Sequence, residues 1–180
     1  MPLADLVASW SGDLLRHRPA GSSRSVLDDT YLGQADDNRW SARGVRAYYF
    51  ARDRAVITAE YARHVGADLP GGHSEHLERE VFRVAVSLDR TLDLTDSDVV
   101  AAMGAGPIND WILDLHQTQA ASAYILSQVP RVQGLIVPSV AFLDDPDRFN
   151  LVIFRDSVDP VAAFGASMFV MRIALDATGA

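Results

Sequence analysis

No cysteine occurs in the 180 residues, which excludes disulfides, thiolate nucleophiles and thiolate metal sites. Nor does any stretch reach the roughly 18 to 20 apolar residues that a spanning helix needs. The opening Met-Pro-Leu-Ala-Asp-Leu-Val has no cationic region ahead of a long apolar run. A cytoplasmic protein with no membrane engagement is the simplest expectation. Clusters of basic side chains are scarce: 16 basic residues stand against 24 acidic ones, a formal net charge of −8. Attraction to a polyanion needs clustered cations, so direct nucleic-acid binding is not expected. Phosphate loops of the G-x-x-x-x-G-K-[ST] and G-x-G-x-x-G types are missing, and Gly104-Ala105-Gly106 runs into Pro107 instead of a strand-linked helix. The G-x-S-x-G elbow of a serine hydrolase is missing too, since Ser139 follows Pro138 without flanking glycines, which disfavours a nucleophilic role for it. His73 and His76 beside Glu75 and Glu78 have no second histidine group and no H-E-x-x-H helix to complete a metal site. They read as a solvated loop, and no metal is expected.

What is present is ordinary globular material. Hydrophobic residues make up 48% and charged residues 22%, and 180 residues suffice for one domain, 1–180, with a sizeable core. Leu3, Leu6, Val7, Trp10 and Leu14 recur at helical spacing and predict a short amphipathic N-terminal helix. Residues 21–37, rich in Ser, Gly and Asp, predict a long loop, of the kind that often covers a functional site. Alternation from Glu80 through Leu88 predicts a half-buried strand, continued by Thr91 to Asp96, with Asp96 or Ser97 capping a short helix. Trp111 to Gln128 has a helical apolar face that Pro130 ends. Gly134 to Pro138 reads as a buried strand that delivers Ser139 at its end. Asp144 to Asp147 is a turn, Asn150 to Phe154 another strand, and Met168 to Leu175 supplies a last one.

The densest chemistry lies between Asn38 and His64. An arginine, Arg39, stands beside Trp40. A turn at Gly44 leads into Ala47-Tyr48-Tyr49-Phe50, whose aromatic side chains favour a pleated strand. Alternation sends Tyr48 and Tyr49 to opposite faces. Asp53 then caps a helix that carries Ala55, Val56, Ala59 and Glu60 and is predicted to end at Gly66. Taken singly, a helical glutamate is usually solvated and an arginine beside a tryptophan is usually a stacked surface cation. Their order is what singles them out.

That order resembles the RES domain family, named for an arginine, a glutamate and a serine. The family's first block reads roughly G-R-W-N-x-x-G, then an aromatic strand ending in Tyr, then a helix ending in Glu. Arg39, Trp40, Gly44, Tyr49 and Glu60 stand at the matching places. Asn38 and Ser41 stand where the family usually has Gly and Asn, which raises the question of the turn's shape, because Gly accepts positive φ most easily. An earlier strand arginine of the family matches Arg16 better than Arg18. A G-L-L-V-P-S-like strand matches Gly134 to Ser139, and an N-L-V-L-F-like strand matches Asn150 to Phe154. The resemblance covers about residues 14–155.

The resemblance implies an α+β domain with a mixed sheet and flanking helices, related to ADP-ribosyltransferases. It further implies a toxin of a bacterial toxin–antitoxin pair that takes NAD+ as substrate and cleaves it by hydrolysis or by phosphorolysis with inorganic phosphate as co-substrate. Protein ADP-ribosylation and a catalytically silent binding module are the alternatives within the same resemblance. Carried over residue by residue, Arg39, Glu60 and Ser139 are the catalytic candidates, and Arg16, Arg39, Tyr49 and Ser139 the nucleotide-binding ones. The implied partner is an antitoxin with a DNA-binding domain, held in a hetero-oligomer.

Overall fold

Alternating apolar and polar side chains give six strands among the described residues, 1–68 and 78–174 of a computed structural model, with backbone alone for 64–68. In chain order the elements are β1 (Ala8–Pro19), β2 (Ala47–Ala51), α1 (Arg54–Asp68), β3 (Glu78–Asp93), α2 (Ser97–Ala102), α3 (Leu115–Gln128), β4 (Gly134–Pro138), β5 (Phe149–Phe154), α4 (Pro160–Ala163) and β6 (Phe164–Ala174). The strands hydrogen-bond in the order β1-β2-β5-β4-β3-β6, and β1 also pairs with β3. That extra pairing closes a ring of strands. The pairs are antiparallel except β3 with β4, which makes the sheet mixed.

Three apolar groups hold the layers. Inside the ring lie Leu14, Tyr48, Phe50, Val84, Leu88, Leu151, Ile153 and Phe164. On the outer face of β2, β5 and β4, Trp40, Val99, Val100, Ile112 and Ile125 pack against Leu135, Val137 and Val152, which seats α2 and α3. On the other side Val56, Ile57 and Tyr61 of α1 pack against Leu15, Val81 and Ile173. Full burial of such a side chain contributes roughly 1.5–3 kcal/mol. The result is a single α+β fold with helices on the outside of a mixed sheet, as the resemblance implied.

The ring's two seams differ. Along one, Thr91, Leu92 and Asp93 of β3 pair with Gly134, Leu135 and Ile136. Along the other, β1 meets β2 at the single pair Leu15 and Ala51, so the strands part on the side of Arg16, His17, Tyr49 and Phe50. Residues 20–46, which join β1 to β2, cross that opening.

Several expectations need correction. The N-terminal helix is a 3-10 turn, Leu3–Leu6, followed by twelve residues of strand. Trp10 and Leu14 are four apart, a spacing that fits both a helix and one face of a strand, and the long ladder with β3 decides for the strand. The helix expected from Trp111 starts at Leu115, because Asp114 accepts from the backbone N–H groups of His116 and Gln117 and caps it there. Trp111 and Ile112 are instead buried in the preceding turn. The α1 backbone continues through Gly66 to Asp68. The break at Leu69 to Gly72 and the group His73, Glu75 and His76 lie outside the described residues. No described helix is long and apolar enough to cross a membrane, and no described group of His, Asp or Glu is arranged to hold a metal ion.

Candidate active site

Where β1 and β2 part there is a cavity of about 340 Å³, lined among others by Arg16, Tyr49, Glu60, Tyr61 and Asn150. Each side chain reaches it through local structure. Glu60 comes from the middle of α1, whose start is set by Asp53 Oδ1 accepting from Val56 N–H at 2.9 Å. Such a cap is worth about 1 kcal/mol. Asn150 sits in a cross-strand row with Ala51 on one side and Val137 on the other. Ser139 follows the fully buried β4, and its N–H donates to the Arg148 carbonyl at 3.0 Å.

These three meet at one carboxylate oxygen. Ser139 Oγ donates to Glu60 Oε1 at 2.5 Å and Asn150 Nδ2 donates to the same atom at 3.2 Å. Oε2 accepts no hydrogen bond among the described residues. The glutamate is thus anchored by one oxygen and presents the other from the cavity wall. Ser139 is 0% exposed and does not line the cavity, so its hydroxyl acts on Glu60.

Arg16 spans the opening between the parted strands. Its Nε donates to the Val26 carbonyl at 2.8 Å and its Nη1 to the Tyr49 carbonyl at 3.2 Å. Its guanidinium lies 5.0 Å from the Tyr48 ring centroid and 5.6 Å from that of Phe50. Burial lowers its pKa to about 10, so it stays a cation at neutral pH. No carboxylate pairs with it among the described residues. Removing a guanidinium from water costs several kcal/mol, which two carbonyls and two aromatic faces offset only in part. An anionic ligand would complete its surroundings. Arg18, the weaker match, is otherwise engaged: it pairs with Glu80 at 3.0 Å and stacks on Phe82.

Tyr49 faces the cavity while Tyr48 lies inside the ring and donates to the Leu27 carbonyl at 3.2 Å. The Tyr49 hydroxyl accepts from Trp40 N–H at 3.2 Å and shares a hydrogen bond with Ser41 Oγ at 2.9 Å. Burial pushes its pKa up to about 12, so the phenol stays neutral. The Ser41 departure thus supplies a partner for Tyr49. Asn38 keeps a negative φ and Gly44 carries the positive one, at +92°, so the turn does not need glycine at position 38. Two side chains of α3 secure it: Gln119 donates to the Asn38 carbonyl at 3.0 Å and Ser122 to that of Trp40 at 2.8 Å.

Arg39 is placed differently from the others. It does not line the cavity, although its neighbour Asn38 does, and its Nη1 donates to the Ile112 carbonyl at 2.6 Å. Partial burial and the like charge of Arg63 lower its pKa, while the charge of Glu60 acts to raise it. The guanidinium therefore lies within the electrostatic reach of Glu60 without touching it. It is not stacked on Trp40, which is 2% exposed and meets Trp111 edge to face.

A family model for the RES domain matches residues 15–174. The chain belongs to the RES domain family. The match takes in Arg16, Arg39, Tyr49, Glu60 and Ser139 and extends past Asn150 into β6. No curated protein sequence matches this member of the family. Solved structures share the fold, among them a chain in the crystal structure of the M. tuberculosis MbcT–MbcA toxin–antitoxin complex. It has a TM-score of 0.64 and 18% identity, and covers 94% of this chain and 86% of that one.

Asn150 is a site residue that sequence reasoning passed over. Its signal was available: it is a polar residue in the strand row it shares with Val152 and Phe154, both buried. Tyr61 and His17, with ring centroids 5.3 Å apart on the cavity wall, gave no such signal. The long loop does cover the site, for Tyr31, Leu32 and Gly33 line the cavity.

Proposed function

We propose that this RES-domain chain is the toxin of a toxin–antitoxin pair and that it degrades NAD+ by cleaving the bond between nicotinamide and ribose. The observation that carries the reading is the Glu60 carboxylate, held through one oxygen by Ser139 and Asn150 on the wall of a cavity also lined by Arg16, whose guanidinium has no carboxylate partner among the described residues. Cleavage develops positive charge on the ribose, and a preorganised carboxylate stabilises that charge without reorganising at the moment of reaction. Arg16 has the forked geometry and missing counter-charge that suit a pyrophosphate, and Arg39 adds positive potential near Glu60. Tyr49, neutral and fixed at its hydroxyl, offers a ring edge for positioning the ribose or nicotinamide. Ser139 is a positioning residue for Glu60.

The bond that breaks joins the anomeric carbon of the ribose to the nicotinamide nitrogen, and nicotinamide leaves with the bonding electrons as a neutral molecule. An oxygen of water or inorganic phosphate forms the new bond to that carbon and gives up its proton to solvent. The antitoxin partner is inferred from family membership together with the fold shared with a protein solved as a toxin–antitoxin complex. Product analysis after mixing the purified chain with NAD+, with and without phosphate, tests the reading. Free nicotinamide with ADP-ribose assigns hydrolysis. Nicotinamide with ADP-ribose phosphorylated at the anomeric carbon assigns phosphorolysis. Intact NAD+ under both conditions overturns the activity, and ADP-ribose found on protein assigns transfer instead.

A further inference from the structure

The cavity is small for the proposed substrate. Pockets for drug-sized ligands span roughly 300–1,000 Å³, and about 340 Å³ lies at the lower end, whereas a dinucleotide carries two bases, two riboses and a pyrophosphate. With one half engaged beside Glu60 and Arg16, the other half has to extend to the mouth, and the residue waiting there is Tyr31.

Large apolar side chains are costly to leave in water, and Tyr31 is 61% exposed. Other exposed aromatic residues, Tyr124 and Phe169, lie away from the cavity, while Tyr31 lines it. Its neighbours in the chain are tied to the rest of the fold on both sides. On the N-terminal side the Val26 carbonyl accepts from Arg16 and the Leu27 carbonyl from Tyr48. Asp29 pairs with Arg155 at 2.8 Å and with Arg46 at 3.0 Å. On the C-terminal side Leu32 packs on the core inside the ring, and the Gly33 carbonyl accepts from Gly44 N–H at 2.8 Å. The segment is therefore anchored on both sides of an outward-facing ring. Arg24 lies 4.8 Å from the ring centroid and donates to the hydroxyl at 3.1 Å, which fixes the ring's orientation and occupies one face. The ring is otherwise open.

We propose that Tyr31 is the platform on which the adenine base of the dinucleotide stacks, which makes it a specificity-determining residue for an adenine-containing substrate. The proposal rests on the NAD+ reading of the cavity. A flat base on a fixed phenol ring gains affinity at little entropic cost, because the platform is ordered before binding.

The test is equilibrium binding of two ligands to the parent chain and to Tyr31→Ala and Tyr31→Phe. One ligand is carba-NAD+, whose carbocyclic ring resists cleavage; the other is nicotinamide mononucleotide, which has no adenine. Tyr31→Ala should weaken carba-NAD+ binding about tenfold or more, the size of a lost base–aromatic stack, and leave nicotinamide mononucleotide unchanged. Tyr31→Phe keeps the ring and loses the bond to Arg24, so it should bind both ligands within about twofold of the parent. Unchanged carba-NAD+ binding by Tyr31→Ala overturns the proposal, and so does equal weakening of both ligands, which would mean that the residue only shapes the loop. A parent chain that binds no carba-NAD+ overturns the NAD+ reading and this proposal together. Unfolding midpoints of the three proteins should coincide, since Tyr31 lies outside the core.

Discussion

One oxygen of the Glu60 carboxylate accepts from both Ser139 Oγ and Asn150 Nδ2, and this fixes how the glutamate can act. Without those donors the side chain regains its rotamers, and a misplacement of about 1 Å can cost on the order of a hundredfold in rate. Ser139→Ala should therefore lower kcat roughly tenfold to a hundredfold with little change in KM. In a Glu60→Gln background the same substitution should cost little more, because residues acting as one unit are not additive. Equal losses in both backgrounds, measured by NAD+ turnover, would show that Ser139 has a role separate from Glu60. The sequence names Glu60 and Ser139, but their contact joins residues 79 apart and needs the fold to reveal it. Asn150 was passed over for a different reason: it opens a strand matched only as a block, and what singles it out is the face it shares with the buried Val152 and Phe154. Arg39 shows the opposite limit. It sits in the most recognisable motif of the chain, yet its hydrogen bond goes to the Ile112 carbonyl and Arg16 is the arginine on the cavity wall.

At the scale of elements, the divergence of β1 from β2 makes the cavity and the 20–46 connection roofs it. Asp29 fastens this roof to Arg46 and to Arg155 beyond the end of β5. Its pKa is held below the usual carboxylate value, first by the hydrogen bond from Arg155 and against the effect of desolvation. Because the folded pKa is depressed, the stabilisation is fully present above the unfolded value near 3.9 and is lost as pH falls through the folded value. Asp29→Asn should lower the urea midpoint at neutral pH and should flatten the fall in stability below about pH 4. An acid limb as steep as the parent's would contradict that role. Strands with one buried face, such as β3, were legible because burial writes a period of two into the sequence. The first half of β1 was misread because Leu3, Leu6, Val7, Trp10 and Leu14 satisfy a helical spacing locally, while the ladder from Ala8 to Pro19 depends on β3, some 60 or more residues away. Ring closure left no local trace either, since it rests on the pair Leu15 and Ala51 and on β3 pairing with β1.

For the whole molecule, the family and the α+β class were legible from two short blocks in the right order, and the matched span of 15–174 reaches beyond them. The net charge of −8 argues against this chain gripping DNA itself. Co-expression with a neighbouring-gene antitoxin should yield a stable complex whose NAD+ turnover is well below that of the free chain, as read by size-exclusion chromatography and a nicotinamide-release assay. Full activity in a saturated complex would contradict inhibition by site blocking. If Glu60 acts on the ribose within the cavity that Arg16 lines, NAD+ turnover should depend on its charge, which Glu60→Gln removes. The substitution is nearly isosteric, and the amide oxygen still accepts from Ser139 and Asn150, so the variant should fold. Its kcat should fall on the order of a hundredfold or more at an unchanged unfolding midpoint, the size expected when preorganised charge is removed. A folded Glu60→Gln protein that consumes NAD+ at the parental rate would contradict it.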